Sequence, residues 1–170
     1  MGKVIRIIVI VLLIIFVVIQ FIRPAKNSGI EIAQNEITSK FSVPENVQQI
    51  LKVSCYDCHT NTTQYPWYWH VQPSAWLLSN HFNEGKRHLN FSIFSTYPAY
   101  RQYKMFKEID EQVKNNDMPL GSYTLIHCDA ILNADQKQAI ENWAQASMKE
   151  MEQKFPADSL KRPNNLKKGL

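Results

Sequence analysis

Cys55-Tyr56-Asp57-Cys58-His59 places two cysteines three positions apart, with a histidine directly after the second. This C-x-x-C-H spacing is the signature of covalent c-type haem attachment. The two thiols add across the two vinyl groups of the haem, and the following histidine lies beneath the iron as its proximal base. The chain holds only 3 cysteines and 5 histidines, so the cluster is not a by-product of composition. Cys55 and Cys58 are therefore the candidate haem-binding residues, and His59 is a candidate iron ligand. Attachment of this kind requires an export route and a sixth iron ligand.

The N-terminus supplies the route. Lys3 and Arg6 precede an uncharged run from Ile7 to Ile22, closed by Arg23-Pro24. Counted from Val4, about 19 residues are enough to cross a hydrocarbon core of about 30 Å if Arg6 snorkels. No small-x-small cleavage pattern follows, so residues 1–23 read as an uncleaved signal anchor rather than a removed signal peptide. Positive charge flanks both ends and orients the segment weakly. The haem motif sets the direction, because c-type attachment takes place on the outer face of the bacterial inner membrane. A single-pass inner-membrane protein with its haem domain in the periplasm is expected.

Charge excludes one large class of partner. Seven of the 19 Lys and Arg fall in the anchor, at Lys3, Arg6 and Arg23, or in the tail, at Lys161, Arg162, Lys167 and Lys168. The remaining 12 stand against 15 Asp and Glu, a mildly acidic body that implies no nucleic-acid surface. The chain divides into the anchor, a polar linker over 24–40, one compact haem-binding domain over 41–155, and a basic flexible tail over 156–170.

The domain reads as helical, with strand signals nearly absent. Ser42-Val43-Pro44-Glu45 has the form of a capping box, and Val47, Ile50, Leu51 and Ser54 then share one face leading into Cys55. A second helix is expected from about Pro98 to Val113, with Tyr103, Phe106, Ile109 and Val113 as its stripe and Met105 in the core. A third opens on Asn133-Ala134-Asp135-Gln136 and runs to about Phe155 through Ile140, Trp143, Ser147 and Met151. The segment 65–97 is rich in Trp, His and Pro and is expected to form loops and short helices around the cofactor. Trp67, Trp69, Trp76, Tyr65 and Tyr68 can cover the haem faces, although ordinary core packing is the favoured reading for any one of them. Lys86 or Arg87 is placed to pair with a propionate, with ordinary core packing and a solvated basic pair as the alternative.

The sixth ligand is sought on a loop. Asn115-Asn116-Asp117-Met118-Pro119-Leu120-Gly121 is a polar break between the second and third helices, and Pro119 restricts Met118 to extended geometry. A thioether is a soft ligand that favours ferrous iron, so a His59/Met118 pair raises the potential relative to two histidines. His70, His81, His88 and His127 are the competitors. Cys128 has no intramolecular partner once the haem takes two thiols, and it is expected to be buried.

The chain resembles the membrane-anchored haem-binding domain proteins of the cytochrome c-like superfamily found in Bacteroidetes-type bacteria. The resemblance is carried by Cys55–His59, by Thr63-Gln64-Tyr65-Pro66-Trp67-Tyr68, by His81-Phe82-Asn83-Glu84-Gly85-Lys86-Arg87-His88-Leu89-Asn90-Phe91-Ser92, and by Met118-Pro119-Leu120-Gly121-Ser122-Tyr123-Thr124-Leu125. It implies a mainly α, cytochrome c-like domain behind a transmembrane helix, one covalent haem c with its iron, and Met118 at the position of the distal methionine. Cys128 is not part of that pattern. The function expected is single-electron transfer with membrane or periplasmic redox partners, rather than enzymatic turnover. The alternative is a haem sensor or peroxidase-type enzyme with a labile sixth ligand. A non-haem use of Cys55 and Cys58 ranks last: zinc wants a second paired set of ligands, and a thioredoxin-like pair wants a βαβ context.

Overall fold

In a computed structural model, residues 2–163 are described. They are mainly helical, and the only β pairing among them is an isolated bridge between Ser28 and Thr62. The first helix, α1 (Gly2–Ile19), is exposed from Gly2 to Val18 and buries no residue, with mean hydropathy 3.0. By length and composition it can cross a membrane.

The Cys55–His59 stretch follows α2 (Glu45–Ser54) and forms the single turn α3 (Tyr56–His59). Three longer helices build the body: α4 (Ser74–His88), α5 (Ala99–Lys114) and α7 (Ala134–Lys154). The short α6 (Gly121–Thr124) lies between α5 and α7. α5 and α7 make the most extensive helix pair, α2 rests on α7, and α3 rests on α4.

Apolar spacing explains the helices. Val47, Ile50, Leu51 and Ser54 are buried on α2 as their spacing predicts. Met105, Phe106, Ile109 and Val113 face inward on α5, as do Ile140, Trp143, Ala144, Ser147 and Met151 on α7. The α7 N-terminus carries the expected reciprocal cap: Gln136 N–H donates to Asn133 Oδ1, and Asn133 N–H donates to Gln136 Oε1, both at 2.9 Å. The box proposed at Ser42–Glu45 does not form. Pro44 occupies the N-cap, so Ser42 falls two residues outside the helix, and its carbonyl accepts the Trp143 indole N–H at 3.1 Å.

Phe106 is the centre of the main core. It is fully buried and meets Phe41, Phe94 and Trp143 edge-on at centroid distances of 4.8, 5.1 and 5.5 Å. Truncation there leaves a cavity that three rings cannot fill. Phe106→Ala is expected to cost about 3–5 kcal/mol. The melting temperature should fall by roughly 10–20 °C, and a scanning calorimetry trace within a few degrees of wild type would contradict this placement.

Three expectations change. Residues 24–40, read as a linker, pack on the domain: Ile37 is 1% exposed in the main core, and Gly29 N–H donates to Asn61 O at 2.8 Å. One buried isoleucine and the backbone bond at Gly29 fasten this polar stretch to the domain, while Ile30 and Ile32 stay exposed. Segment 65–97 holds the expected short helical turns at Trp67–His70 and Phe91–Thr96, but also a 15-residue α4, because Ala75, Leu78 and Phe82 recur at helical spacing and bury one face. At the C-terminal end, Ala157–Leu160 forms a further helical turn with Leu160 against the core, whereas Lys167 and Lys168 lie outside the described residues.

Candidate functional site

The motif sits where two apolar clusters meet. Cys55 and Tyr56 pack against the main core, and Cys58 packs against a second cluster of Trp69, Ala75, Leu78 and Phe82. The turn is closed by the Cys55 carbonyl, which accepts from Cys58 N–H at 3.2 Å and from His59 N–H at 3.0 Å. Helical closure puts residues three and four apart on neighbouring positions of one face. Cys55, Cys58 and His59 are thereby gathered on one turn.

The two cysteines are not joined by a disulfide. Burial pushes the Cys55 thiol up to about 12, with the neighbouring Cys58 adding to it. Burial, then the Asp57 carboxylate, pushes Cys58 up to about 12. Both remain protonated at neutral pH, unlike the acidic thiolates of disulfide oxidoreductases.

His59 is held in a defined tautomer. Its Nδ1 lies 2.9 Å from the Leu89 carbonyl, and a carbonyl only accepts, so Nδ1 carries the proton. Burial lowers the His59 pKa, against the Leu89 and Gly85 carbonyls, which favour the protonated ring. The ring is therefore neutral, with its lone pair on Nε2. A backbone acceptor behind a histidine orients the ring and raises the basicity of the opposite nitrogen, which is the arrangement that favours iron ligation.

The carbonyl behind His59 is itself fixed. Asn90 Nδ2 donates to Asn61 Oδ1 at 2.8 Å, and Asn61 N–H donates to Ser92 Oγ at 2.9 Å. Asn90 Oδ1 in turn accepts from Ser92 N–H at 3.0 Å. This clip ties the chain just after His59 to the chain just after Leu89. The Phe91 ring stands edge-on to His59 at 6.3 Å and tilted against Tyr56 at 5.3 Å. Gly85 lets α4 approach α3: a Cβ there would stand 2.6 Å from the Cys58 carbonyl oxygen and 3.2 Å from Cys58 Cβ. Neither Leu89, the clip nor Gly85 was singled out as a site residue from sequence. A glycine inside an otherwise helical pattern was the available signal for a close backbone approach.

A polar network borders the motif. Asp57 accepts from Gln64 N–H at 3.1 Å and from Tyr123 O–H at 2.9 Å. The Tyr123 ring stacks on His127 at 4.2 Å, and His127 Nε2 lies 2.6 Å from the Tyr68 hydroxyl. Burial and the Asp57 charge raise the pKa of both Tyr68 and Tyr123, so both remain neutral hydroxyls. The stretch 123–127 is thus brought against the motif.

The other expected residues are placed unevenly. Met118 is partly buried, and its N–H donates to Gln112 O at 3.2 Å just beyond the end of α5. Asn116 turns the chain there with φ 63°, a conformation asparagine tolerates. Of the competing histidines, His127 joins the network at the motif. His70 and His88 are exposed, with His88 near Glu84, and His81 is partly buried on α4. Tyr65, Trp69 and Phe82 pack together beside Cys58, with Tyr65 and Trp69 centroids 4.4 Å apart. Trp67 and Trp76 turn outward instead, and the Trp76 indole N–H is engaged by the Ile22 carbonyl at 3.1 Å. Lys86 bonds Asn27, and Arg87 pairs with Glu84 at 2.5 Å along its own helix. Cys128 is exposed, contrary to the expectation of burial, because the helical turn Cys128–Ala130 directs Ala130 inward in its place.

A model of the haem-binding domain family matches residues 14–146, most of the chain and all of the site just described. The chain belongs to the haem-binding domain family. No curated protein and no solved structure matches it significantly. The haem-binding domain match begins inside α1 and takes in the packed segment 24–40 as well as the motif. The residues present suit a haem: two protonated, unpaired thiols and a neutral imidazole lie on one turn, backed by a fixed acceptor and flanked by aromatic clusters.

Proposed function

We propose that this chain is a membrane-tethered periplasmic c-type cytochrome of the cytochrome c-like superfamily, of the Bacteroidetes type, that carries single electrons. Residues 1–23 are its retained anchor, and one haem is held covalently by Cys55 and Cys58. His59 and Met118 would hold its iron. The observation that carries this reading is the His59 Nδ1 contact with the Leu89 carbonyl at 2.9 Å, one residue after the second motif thiol. A structural histidine needs no free Nε2, whereas an iron ligand does.

A bound haem supplies the one-electron couple at its iron. The chain's own residues hold it and tune it. Cys55 and Cys58 fix its edge, and His59 presents Nε2 with the tautomer set by Leu89. The Tyr65–Trp69–Phe82 cluster beside Cys58 excludes water from that side. A Met118 thioether on the iron would favour the reduced state and raise the potential. The same site supports a second reading, a sensor or peroxidase-type protein with a labile sixth position, through His127, which the Tyr68 and Tyr123 contacts hold near the motif.

Two measurements separate these outcomes. The denatured chain should carry the mass of one haem, and its pyridine haemochrome should have the position of a doubly thioether-linked haem. Haem released by acid-acetone extraction would overturn covalent attachment. The ferric protein should show the weak far-red sulfur-to-iron band, and Met118→Ala should abolish it without releasing haem. A wild-type spectrum with two histidine ligands and no such band would assign the position to a histidine, His127 first.

A further inference from the structure

We propose that the haem domain lies flat on the membrane, seated on lipid headgroups and upper acyl chains through the face formed by Trp67, Val71, Trp76 and Leu77. This rests on the reading of α1 as a retained membrane anchor.

Depth is set by hydrogen bonds between the end of that anchor and the start of α4. Gln72 is fully buried. Its N–H donates to Gln20 Oε1 at 2.9 Å, and its Nε2 donates to the Ile22 carbonyl at 2.8 Å. The same carbonyl accepts from Trp76 Nε1 at 3.1 Å. Arg23 donates to the carbonyls of Trp69 at 3.3 Å and His70 at 2.7 Å. Residues 69–76 are thus fastened to residues 20–23 and share their depth. An 18-residue α1 rises about 27 Å, close to the roughly 30 Å of a hydrocarbon core, so residues 20–23 fall at its boundary.

The side chains around these bonds suit that depth and not water. Trp67 is 77% exposed and Leu77 56%, with Val71 and Trp76 also exposed. Phe21 and Ile22 continue the apolar surface on the anchor side. Exposed indoles next to a transmembrane helix end are favoured at the headgroup level, where the ring is half solvated. Residues 64–83 contain no Asp or Glu, and Arg23 and Lys26 lie against this stretch, so the stretch itself brings no carboxylate to anionic headgroups. Trp67 stands edge-on to Tyr68 at 5.7 Å, and Tyr68 packs on the Cys58 cluster. Seating this face therefore holds the Cys58 side of the haem motif near the lipid surface.

The test uses the full-length haem-loaded protein in vesicles of phosphatidylethanolamine and phosphatidylglycerol. The vesicles include a phospholipid bearing a diazirine near the top of one acyl chain. After irradiation, peptides are mapped by mass spectrometry. Adducts are expected on α1 and on 67–77. Trp67→Asp combined with Leu77→Asp should lose those on 67–77 and keep those on α1. Both positions are exposed, and an unchanged haem spectrum verifies that the variant is folded. Adducts on α1 with none on 67–77 overturn the docking and leave the anchor standing. Adducts on neither overturn the anchor reading and the docking with it. Adducts on 67–77 that survive both aspartates show tether proximity without an apolar seat, and overturn the proposal.

Discussion

Gly85→Val is expected to prise α4 off the haem motif and to abolish most haem attachment. The first added atom would stand 2.6 Å from the Cys58 carbonyl oxygen. That oxygen is backbone, inside a helical turn closed by the Cys55 carbonyl, and it cannot swing aside as a side-chain tip does. Helix propensity opposes this effect only slightly, since valine gains roughly a few tenths of a kcal/mol over glycine within a helix. Overpacking costs about 1–3 kcal/mol, and the rigid neighbour puts this site at the upper end. The net sign is destabilising. The function should suffer more than the stability, because Leu89, whose carbonyl holds His59, is the residue that ends α4. Intact mass should show a sharply reduced haem-bearing fraction, and the melting temperature should fall. Gly121→Ala is the control: its Cβ would meet nothing within 4 Å, and the variant should match wild type in both measurements. If Gly85→Val loads haem like wild type, the close approach has no role in the site.

The double change Cys55→Ser with Cys58→Ser should convert the haem from bound to extractable, the largest effect expected from any pair of substitutions here. The mass of the denatured chain should lose one haem, and acid-acetone should remove all colour. The single variants carry the finer test. Each should retain one thioether if the haem is attached through both thiols, and each should shift the pyridine haemochrome band toward the position of a haem with one intact vinyl. Serine preserves size and hydrogen bonding, so loss of fold does not explain loss of attachment. A single variant with an unshifted band would mean that its thiol was never linked. Helical closure places both thiols on one turn, so equal shifts are expected from the two single variants.

Several features were readable without coordinates. The C-x-x-C-H motif is local, and its five residues needed only one helical turn to become a gathered set. α2, α5 and α7 followed from apolar spacing, and the α7 cap followed from Asn133 and Gln136, because these signals act within a few residues of each other. α4 was hidden by aromatic and proline density that resembled loop composition, although Ala75, Leu78 and Phe82 held the helical period. Cys128 was expected inside on redox grounds, yet a short helical turn leaves it at the surface.

What sequence by itself determined was the local pattern: an N-terminal apolar helix long enough to cross a membrane, a C-x-x-C-H turn, and a mainly α domain. Only the tertiary structure decided how that chemistry is supported. The acceptor behind His59 is a backbone carbonyl 30 residues away, held by an Asn61–Asn90–Ser92 clip. A main-chain oxygen has no residue identity, so no composition or spacing announces it. The same holds for the linker that proved to be part of the body through Ile37, and for the bonds that fasten Gln72 and Trp76 to the end of α1. Contacts between residues distant in sequence form only once separate helices share a core, and it is those contacts that place the haem motif.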